Sequence, residues 1–282
     1  MPGSRRAARA PAPPPARPRK RFGQHFLTDP RILGRIADAA MLQPDDTVVE
    51  IGPGRGTLTD ALRERAARVI AIELDRGLAQ TLRRRYADDA NVSIIEGDVL
   101  AVAVGELGAA ASGSYVLVGN VPYYITTPII FQALAAPRPK RAVFLVQREV
   151  AERIVAPPGG KTYGSLSVNV RAFARAELLF GVKAGAFQPA PSVESAVVRL
   201  TPLESPIVPP DLETWFRGFV QDVFGLRRKQ LRRVMRTLTG LPPDEVDVLL
   251  ARAGVDGAAR PETLAVERFA ELARAVRDAR RA

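Results

Sequence analysis

The 282-residue chain has no cysteine and a single histidine, His25. The first absence excludes a disulfide framework and any thiolate metal site. The second argues against a histidine-rich metal centre and against a hydrolase built on a histidine relay. No bound metal is expected, and the missing cysteines fit a cytoplasmic protein. No apolar run approaches the ~20 residues that span a bilayer, so no membrane association is expected. The N-terminus lacks the apolar block of a signal peptide. Acid is missing from residues 1–21, MPGSRRAARAPAPPPARPRKR, which carry seven cations: Arg5, Arg6, Arg9, Arg17, Arg19, Lys20 and Arg21. The six prolines in that stretch argue against the amphipathic helix of a transit peptide. With few large apolar residues to bury, it reads as a disordered basic tail and a candidate contact to nucleic acid.

The remainder carries a net charge of only +4 out of the total of +11. At 46% hydrophobic the chain is rich enough to bury a sizeable core. From Phe22 onward, short apolar runs alternate with helical patterns. TVVEI (47–51), RVIAIEL (68–74), VSII (92–95), YVLVG (115–119) and AVFLV (142–146) read as buried strands. Their β-branched runs lack strict alternation, as expected where helices cover both faces of a parallel sheet. Asp29-Pro30 reads as an N-cap followed by proline at the first helical position. The pattern predicts a doubly wound α/β domain over residues 22–203. SLSVNVRAFA and ESAVVRLTPL read as further strands, and APPGGKTYG (156–164) as a mobile loop. ESPIVPPD (204–211) reads as the domain boundary. Residues 204–282 then form a smaller, all-helical domain.

VVEIGPGRGTLTDAL has the strand–glycine turn–helix form of a nucleotide-binding first turn. Gly52, Gly54 and Gly56 make it GxGxG; Thr57 breaks the dinucleotide pattern, and no phosphate-loop GK[ST] follows. Glu73, at the end of the second strand, is spaced to accept the ribose hydroxyls. Asp98, after the third, suits the adenine amino group. Three ligand-suited positions after successive strands, without a pyrophosphate cradle, point to an adenosyl ligand, S-adenosylmethionine. NVPYYITTP (120–128) follows the fourth strand at the same sheet edge. An exocyclic adenine amine is a poor nucleophile because its lone pair is delocalised into the ring. Asn120 offers one side-chain acceptor for its N–H groups, and a main-chain carbonyl at Val121 or Pro122 offers the second. Pro122 restricts that carbonyl's orientation, and Tyr123 can stack on the base. RRKQLRRVMR (227–236) holds Arg227, Arg228, Lys229, Arg232, Arg233 and Arg236 without an acid in a helical pattern. Arg228, Arg232 and Arg236 would share one face suited to phosphates.

GQHFL, EIGPGRGTLT, IELD, EGDVL and NVPYYITTPI, in this order, resemble the ribosomal RNA adenine N6-dimethyltransferases, the KsgA family and its relatives. The resemblance runs from Arg19 to about Arg236 through REVAERI, YGSLSVNV, FQPAPSVESAVVRL and FGLRRKQLRR. It implies a Rossmann-like methyltransferase sheet with cofactor contacts at His25, Leu27, Gly52, Glu73, Asp98 and Asn120; Gly54 joins them from the glycine turn. It also implies successive methylation of two adjacent adenines near the 3′ end of small-subunit (16S) rRNA, within a pre-30S particle. His25 stands where many members have Asn, and Tyr124 where Asn or Lys is common. Phe187, in FQPAPSV, is either a wall for the target base opposite Tyr123 or a core side chain. Three rivals stand beside this reading. The macrolide-resistance large-subunit (23S) rRNA methyltransferase shares the cofactor turn and an N-[LIV]-P-[YF] motif, but FQPAPSVESAVVRL and FGLRRKQLRR speak against it. A DNA adenine methyltransferase has a related Asn-Pro-Pro-Tyr motif. The third is a non-catalytic assembly factor binding pre-ribosomal RNA. No pattern signals oligomerisation, so a monomer is the default expectation.

Overall fold

A computed structural model describes residues 25–280. The basic segment 1–21 lies outside the described residues. The chain opens with strand β1 (Phe26–Leu27) and helix α1 (Pro30–Ala39). It then alternates β2 (Thr47–Ile51), α2 (Thr57–Arg63), β3 (Arg68–Glu73), α3 (Arg76–Arg85), β4 (Val92–Glu96) and α4 (Val104–Ser112). The second half of the sheet is laid down by β5 (Tyr115–Asn120), α5 (Thr126–Ala133), β6 (Arg141–Gln147), α6 (Arg148–Val155), α7 (Ser165–Phe173) and β7 (Ala174–Val182). Strands β8 (Phe187–Gln188) and β9 (Ser195–Pro202) precede four helices: α8 (Glu213–Gly225), α9 (Leu231–Thr239), α10 (Pro243–Arg252) and α11 (Val266–Ala279).

Seven strands form one sheet in the order β4-β3-β2-β5-β6-β9-β7, and β1 pairs with β8 in a small second sheet. The first five are parallel, and β9 runs antiparallel between β6 and β7. Every residue of β2 is buried, because helices cover both sheet faces and leave no solvent side for polar alternation. Asp29 caps α1, its Oδ1 accepting from the Arg31 amide at 2.9 Å, with Pro30 as the first helical residue. From β2 the chain winds outward to β4, then crosses back to set β5 against the other side of β2. The crossovers diverge there, opening a crevice at the carboxyl ends of β2 and β5.

Three expectations need correction. SLSVNVRAFA is not a strand but the helix α7, and the strand is the following segment, β7. Leu166, Ser167, Val168, Asn169, Val170, Ala172 and Phe173 are all buried, so α7 has no solvent face to impose a 3.6-residue period. What remains visible is a β-branched alternation that imitates a strand. The loop 156–164 is not free: the Gly159 amide donates to the Glu262 carbonyl at 2.7 Å, and the fully buried Tyr163 hydroxyl donates to the Leu264 carbonyl at 2.9 Å. Finally, Arg227, Arg228 and Lys229 lie in the turn after α8, and only Arg232, Arg233 and Arg236 belong to α9. The i, i+4, i+8 face therefore does not include Arg228.

The segment 204–211 runs between the sheet layer and the last four helices, yet the core crosses it. Phe144, Phe173, Phe216, Phe219 and Phe269 belong to one hydrophobic cluster. Phe173 meets Phe216 edge-on at 6.3 Å, the Ile207 amide donates to the Ala172 carbonyl at 3.0 Å, and Val208 is buried.

Candidate active site

The turn after β2 is shaped by glycine. Gly52 and Gly54 have φ of +69° and +58°, a region that side chains with a Cβ rarely enter. Gly52 lies directly beside the end of β5, where an added Cβ would stand 3.5 Å from the Asn120 carbonyl oxygen. Gly56 has another reason to lack a side chain. A Cβ there would meet the Tyr86 hydroxyl at 2.7 Å, so this glycine serves packing beneath the turn.

Glu73 closes β3 and is only 5% exposed. Its Oε2 accepts from the Gly54 amide at 3.0 Å and its Oε1 from the Asp75 amide at 2.8 Å. The carboxylate thus ties the glycine turn to the end of β3 while it faces the cavity as an acceptor. Burial pushes its carboxyl above the usual range, and the backbone donors pull the other way. Asp98 follows β4 and uses Oδ1 to accept from the Leu100 amide at 2.9 Å. In β2, Glu50 is fully enclosed. The Thr59 hydroxyl donates to its Oε2 at 2.6 Å, and burial raises its carboxyl to about 8.

These groups face an open-mouthed cavity of about 810 Å³, counting the solvent at its mouth. His25, Gly52, Gly54, Glu73, Asp98, Asn120, Pro122 and Tyr123 all line it. Sequence reasoning passed over Phe26, which also lines it; its ring would sit 3.0 Å from a Cβ on Gly54 and lies 4.5 Å beneath the Arg55 guanidinium. The cue lay inside GQHFL, but nothing in five residues says which one turns inward. Leu27, by contrast, does not line this cavity. It is buried, and its carbonyl accepts from the Thr57 hydroxyl at 3.1 Å, so it braces the start of α2 from behind.

At the other end of the cavity, Asn120 Nδ2 donates to the His25 carbonyl at 3.1 Å. This commits the amide nitrogen and leaves the carboxamide oxygen as the acceptor. The two candidate main-chain acceptors also separate. The Pro122 carbonyl takes the Ile125 amide at 3.1 Å and the Thr126 hydroxyl at 3.3 Å, closing the short 3-10 turn Tyr123–Ile125. Val121 lines the cavity, and its amide is tied to the Leu145 carbonyl at 3.2 Å. Tyr123 lies 6.1 Å from His25, ring to ring, with planes 23° apart. Its hydroxyl is 2.7 Å from Ser195 Oγ, and burial pushes its phenol up. Tyr124, 59% exposed, stands at the rim. Phe187 is not among the residues lining this cavity: it pairs with Leu27 across the β1–β8 sheet, is 5% exposed and packs in the hydrophobic cluster beneath it. The short antiparallel pairing that withdraws it joins segments about 160 residues apart, which no local pattern announces.

Among the cations, Arg233 and Arg236 are exposed on α9 above the buried Leu231, Val234 and Met235. Arg232 pairs with Asp247 at 2.6 Å and Arg227 approaches Glu262 at 3.7 Å. Arg228 is exposed and Lys229 half-buried in the preceding turn.

Comparison with known proteins bears on what this cavity is for. Residues 16–278 match the family model described as ribosomal RNA adenine dimethylase. The ribosomal RNA small subunit methyltransferase A of Moorella thermoacetica is 42% identical, over 91% of this chain and 92% of its own. A dimethyladenosine transferase structure from Plasmodium falciparum superposes with a TM-score of 0.74 at 27% identity, covering 88% of this chain and 96% of that one. The structure of the 23S rRNA methyltransferase ErmE gives 0.66, also at 27%, covering 89% and 99%. A match over nearly the whole length settles the family. The chain belongs to the ribosomal RNA adenine dimethylases.

Proposed function

We propose that this protein transfers methyl groups from S-adenosylmethionine to N6 of two adjacent adenines in the 3′-terminal hairpin loop of small-subunit rRNA. The product is N6,N6-dimethyladenosine, made late in assembly on a pre-30S particle by a cytoplasmic monomer. The observation that carries the reading is the Asn120 amide: with Nδ2 committed to His25, its oxygen is the acceptor at the mouth of the cavity that Glu73 and Asp98 also line.

The donor set fits the cofactor. Glu73 would take the ribose hydroxyls and Asp98 the adenine amino group, while Gly52 and Gly54 let the ligand lie against the backbone. When bound, S-adenosylmethionine supplies an electrophilic methyl group on a sulfonium sulfur. Asn120 Oδ1 and the Val121 carbonyl accept the two N6 hydrogens of the target adenine. Both acceptors favour a pyramidal nitrogen whose lone pair faces that methyl group. No strong base is required, because the nitrogen becomes acidic once alkylated and its proton leaves to water. Tyr123 stacks on the extruded base, offsetting the few kcal/mol lost on unstacking by about 1–3 kcal/mol. Arg228, Lys229, Arg233 and Arg236 hold RNA phosphates, with Arg227 and Arg232 drawn partly toward their acidic partners.

The test is labelled methyl transfer to unmethylated small subunits, large-subunit rRNA and adenine-containing DNA in parallel, with nucleoside mass spectrometry of the product. Dimethyladenosine from small subunits alone is expected. Label in large-subunit rRNA alone would make the protein a resistance-type enzyme, and RNA binding without label would leave an assembly factor. Asn120→Ala is expected to keep RNA binding and lose most methylation; near-normal turnover in that variant would remove the motif from the mechanism.

A further inference from the structure

Tyr123 sits on a three-residue 3-10 turn. So short an element closes few hydrogen bonds of its own and holds a ring weakly. The ring is nevertheless constrained at both ends. Its hydroxyl is 2.7 Å from Ser195 Oγ, and its plane lies 23° from that of His25. Ser195 is the first residue of β9 and is completely buried. Its backbone is registered against Gln147 of β6 on one side and Val182 of β7 on the other. The hydroxyl is therefore carried by an interior strand of the sheet, a far stiffer support than the turn it touches. Bulk water does not reach it, so the phenol is the partner that satisfies it. The same stretch of chain reaches the second ring as well. His25 Nδ1 lies 2.8 Å from the Pro189 carbonyl, which fixes Nδ1–H as the donor. The segment 187–195 thus braces both rings from behind, and neither Ser195 nor Pro189 lines the cavity.

We infer that Ser195 is a positioning residue for methyl transfer: through its hydroxyl it ties Tyr123 to the sheet and fixes the ring plane on which the target adenine stacks. The inference rests on the stacking role proposed for Tyr123. It assigns Ser195 no contact with substrate or cofactor. The ring's stacking area stays the same without the tether, but its plane is no longer fixed, so the cost falls on the reaction geometry and not on cofactor binding.

The experiment compares Ser195→Ala, Ser195→Thr, Tyr123→Phe, the Ser195→Ala/Tyr123→Phe double variant and Tyr123→Ala, using the full chain and unmethylated small subunits. Ser195→Ala is expected to lower kcat about tenfold, the scale of loss that a small misplacement of a reacting group produces. Equilibrium binding of S-adenosylmethionine should be unchanged. Tyr123→Phe, which keeps the ring and loses the tether, should fall by the same factor. The double variant should be no worse than the poorer single, and Ser195→Thr should recover most of the rate. Wild-type kcat in Tyr123→Phe would overturn the inference even if Ser195→Ala proved too unstable to assay. So would losses that multiply in the double variant, or a fall in kcat that tracks lost cofactor binding. Wild-type turnover in Tyr123→Ala would instead overturn the stacking role beneath it.

Discussion

Glu50 and Glu73 are both buried carboxylates at the carboxyl ends of neighbouring strands, and they do different work. Glu73 holds two backbone amides and faces the cavity, so Glu73→Ala should weaken S-adenosylmethionine binding at least tenfold while RNA affinity stays put. Calorimetric titration with the cofactor, beside RNA binding, checks both halves. Among the described residues Glu50 has one hydroxyl partner, and its Oε1 is buried without any. Its carboxyl lies at about 8 in the folded chain against an ordinary 4.5. Below the lower value, folded and unfolded forms are both neutral there and ionisation contributes nothing to the balance. Between the two values the unfolded chain ionises while the folded one keeps its proton, so stability falls as pH rises. Above about 8 the penalty levels off. Glu50→Gln lacks this titration, so its melting temperature relative to wild type should climb from pH 5 to pH 8. A gap independent of pH would show that Glu50 is ionised in the fold.

At the scale of elements, α9 and the turn before it divide the basic run into unequal parts. Arg233 and Arg236 are exposed on α9, whereas Arg232 already holds Asp247. Arg233→Ala and Arg236→Ala should each lower the salt slope of RNA binding by about 1. Arg232→Ala should change it less, and none of the three should alter cofactor affinity. Binding isotherms across a range of salt decide the order. The loop 156–164 makes a different point. Glycine and proline there suggest freedom, but Tyr163 anchors the loop to the turn before α11 through a buried hydroxyl. Tyr163→Phe should cost about 1–3 kcal/mol, since the Leu264 carbonyl is left without its donor, and should expose the loop to limited proteolysis.

For the molecule as a whole, the consequential fact is a hydrophobic cluster that runs from the sheet into the last four helices. A chain ending near residue 203 would expose Phe173 and the sheet-side surface that Phe216 covers. It should therefore fail to yield a folded cofactor-binding unit. Phe216→Ala should destabilise the protein by about 3–5 kcal/mol. Calorimetry should show a single transition in which cofactor binding and the C-terminal helices are lost together. Two separate transitions would mean that the helices fold as an independent unit. The proline-rich segment 204–211 reads as a boundary because proline marks breaks in secondary structure. Whether a core also breaks there depends on side chains far away in sequence.

That difference runs through the whole protein. The parallel strands, the glycine turn, the acids at the strand ends and the placing of Asn120 at the same sheet edge were legible from the chain alone, because each is set by a few consecutive residues and by the carboxyl edge of a parallel sheet. Local pattern misread α7, whose burial on every side erases the period that marks a helix. It also left open Phe187 and the second acceptor beside Asn120, and it was silent on Ser195. The β1–β8 pairing drew Phe187 into the core, the closing of the 3-10 turn occupied the Pro122 carbonyl, and a strand 72 residues away brought a hydroxyl to Tyr123. Sequence specifies which groups leave each strand end; only the packing of distant segments decides which of them reach the cavity and what holds them there.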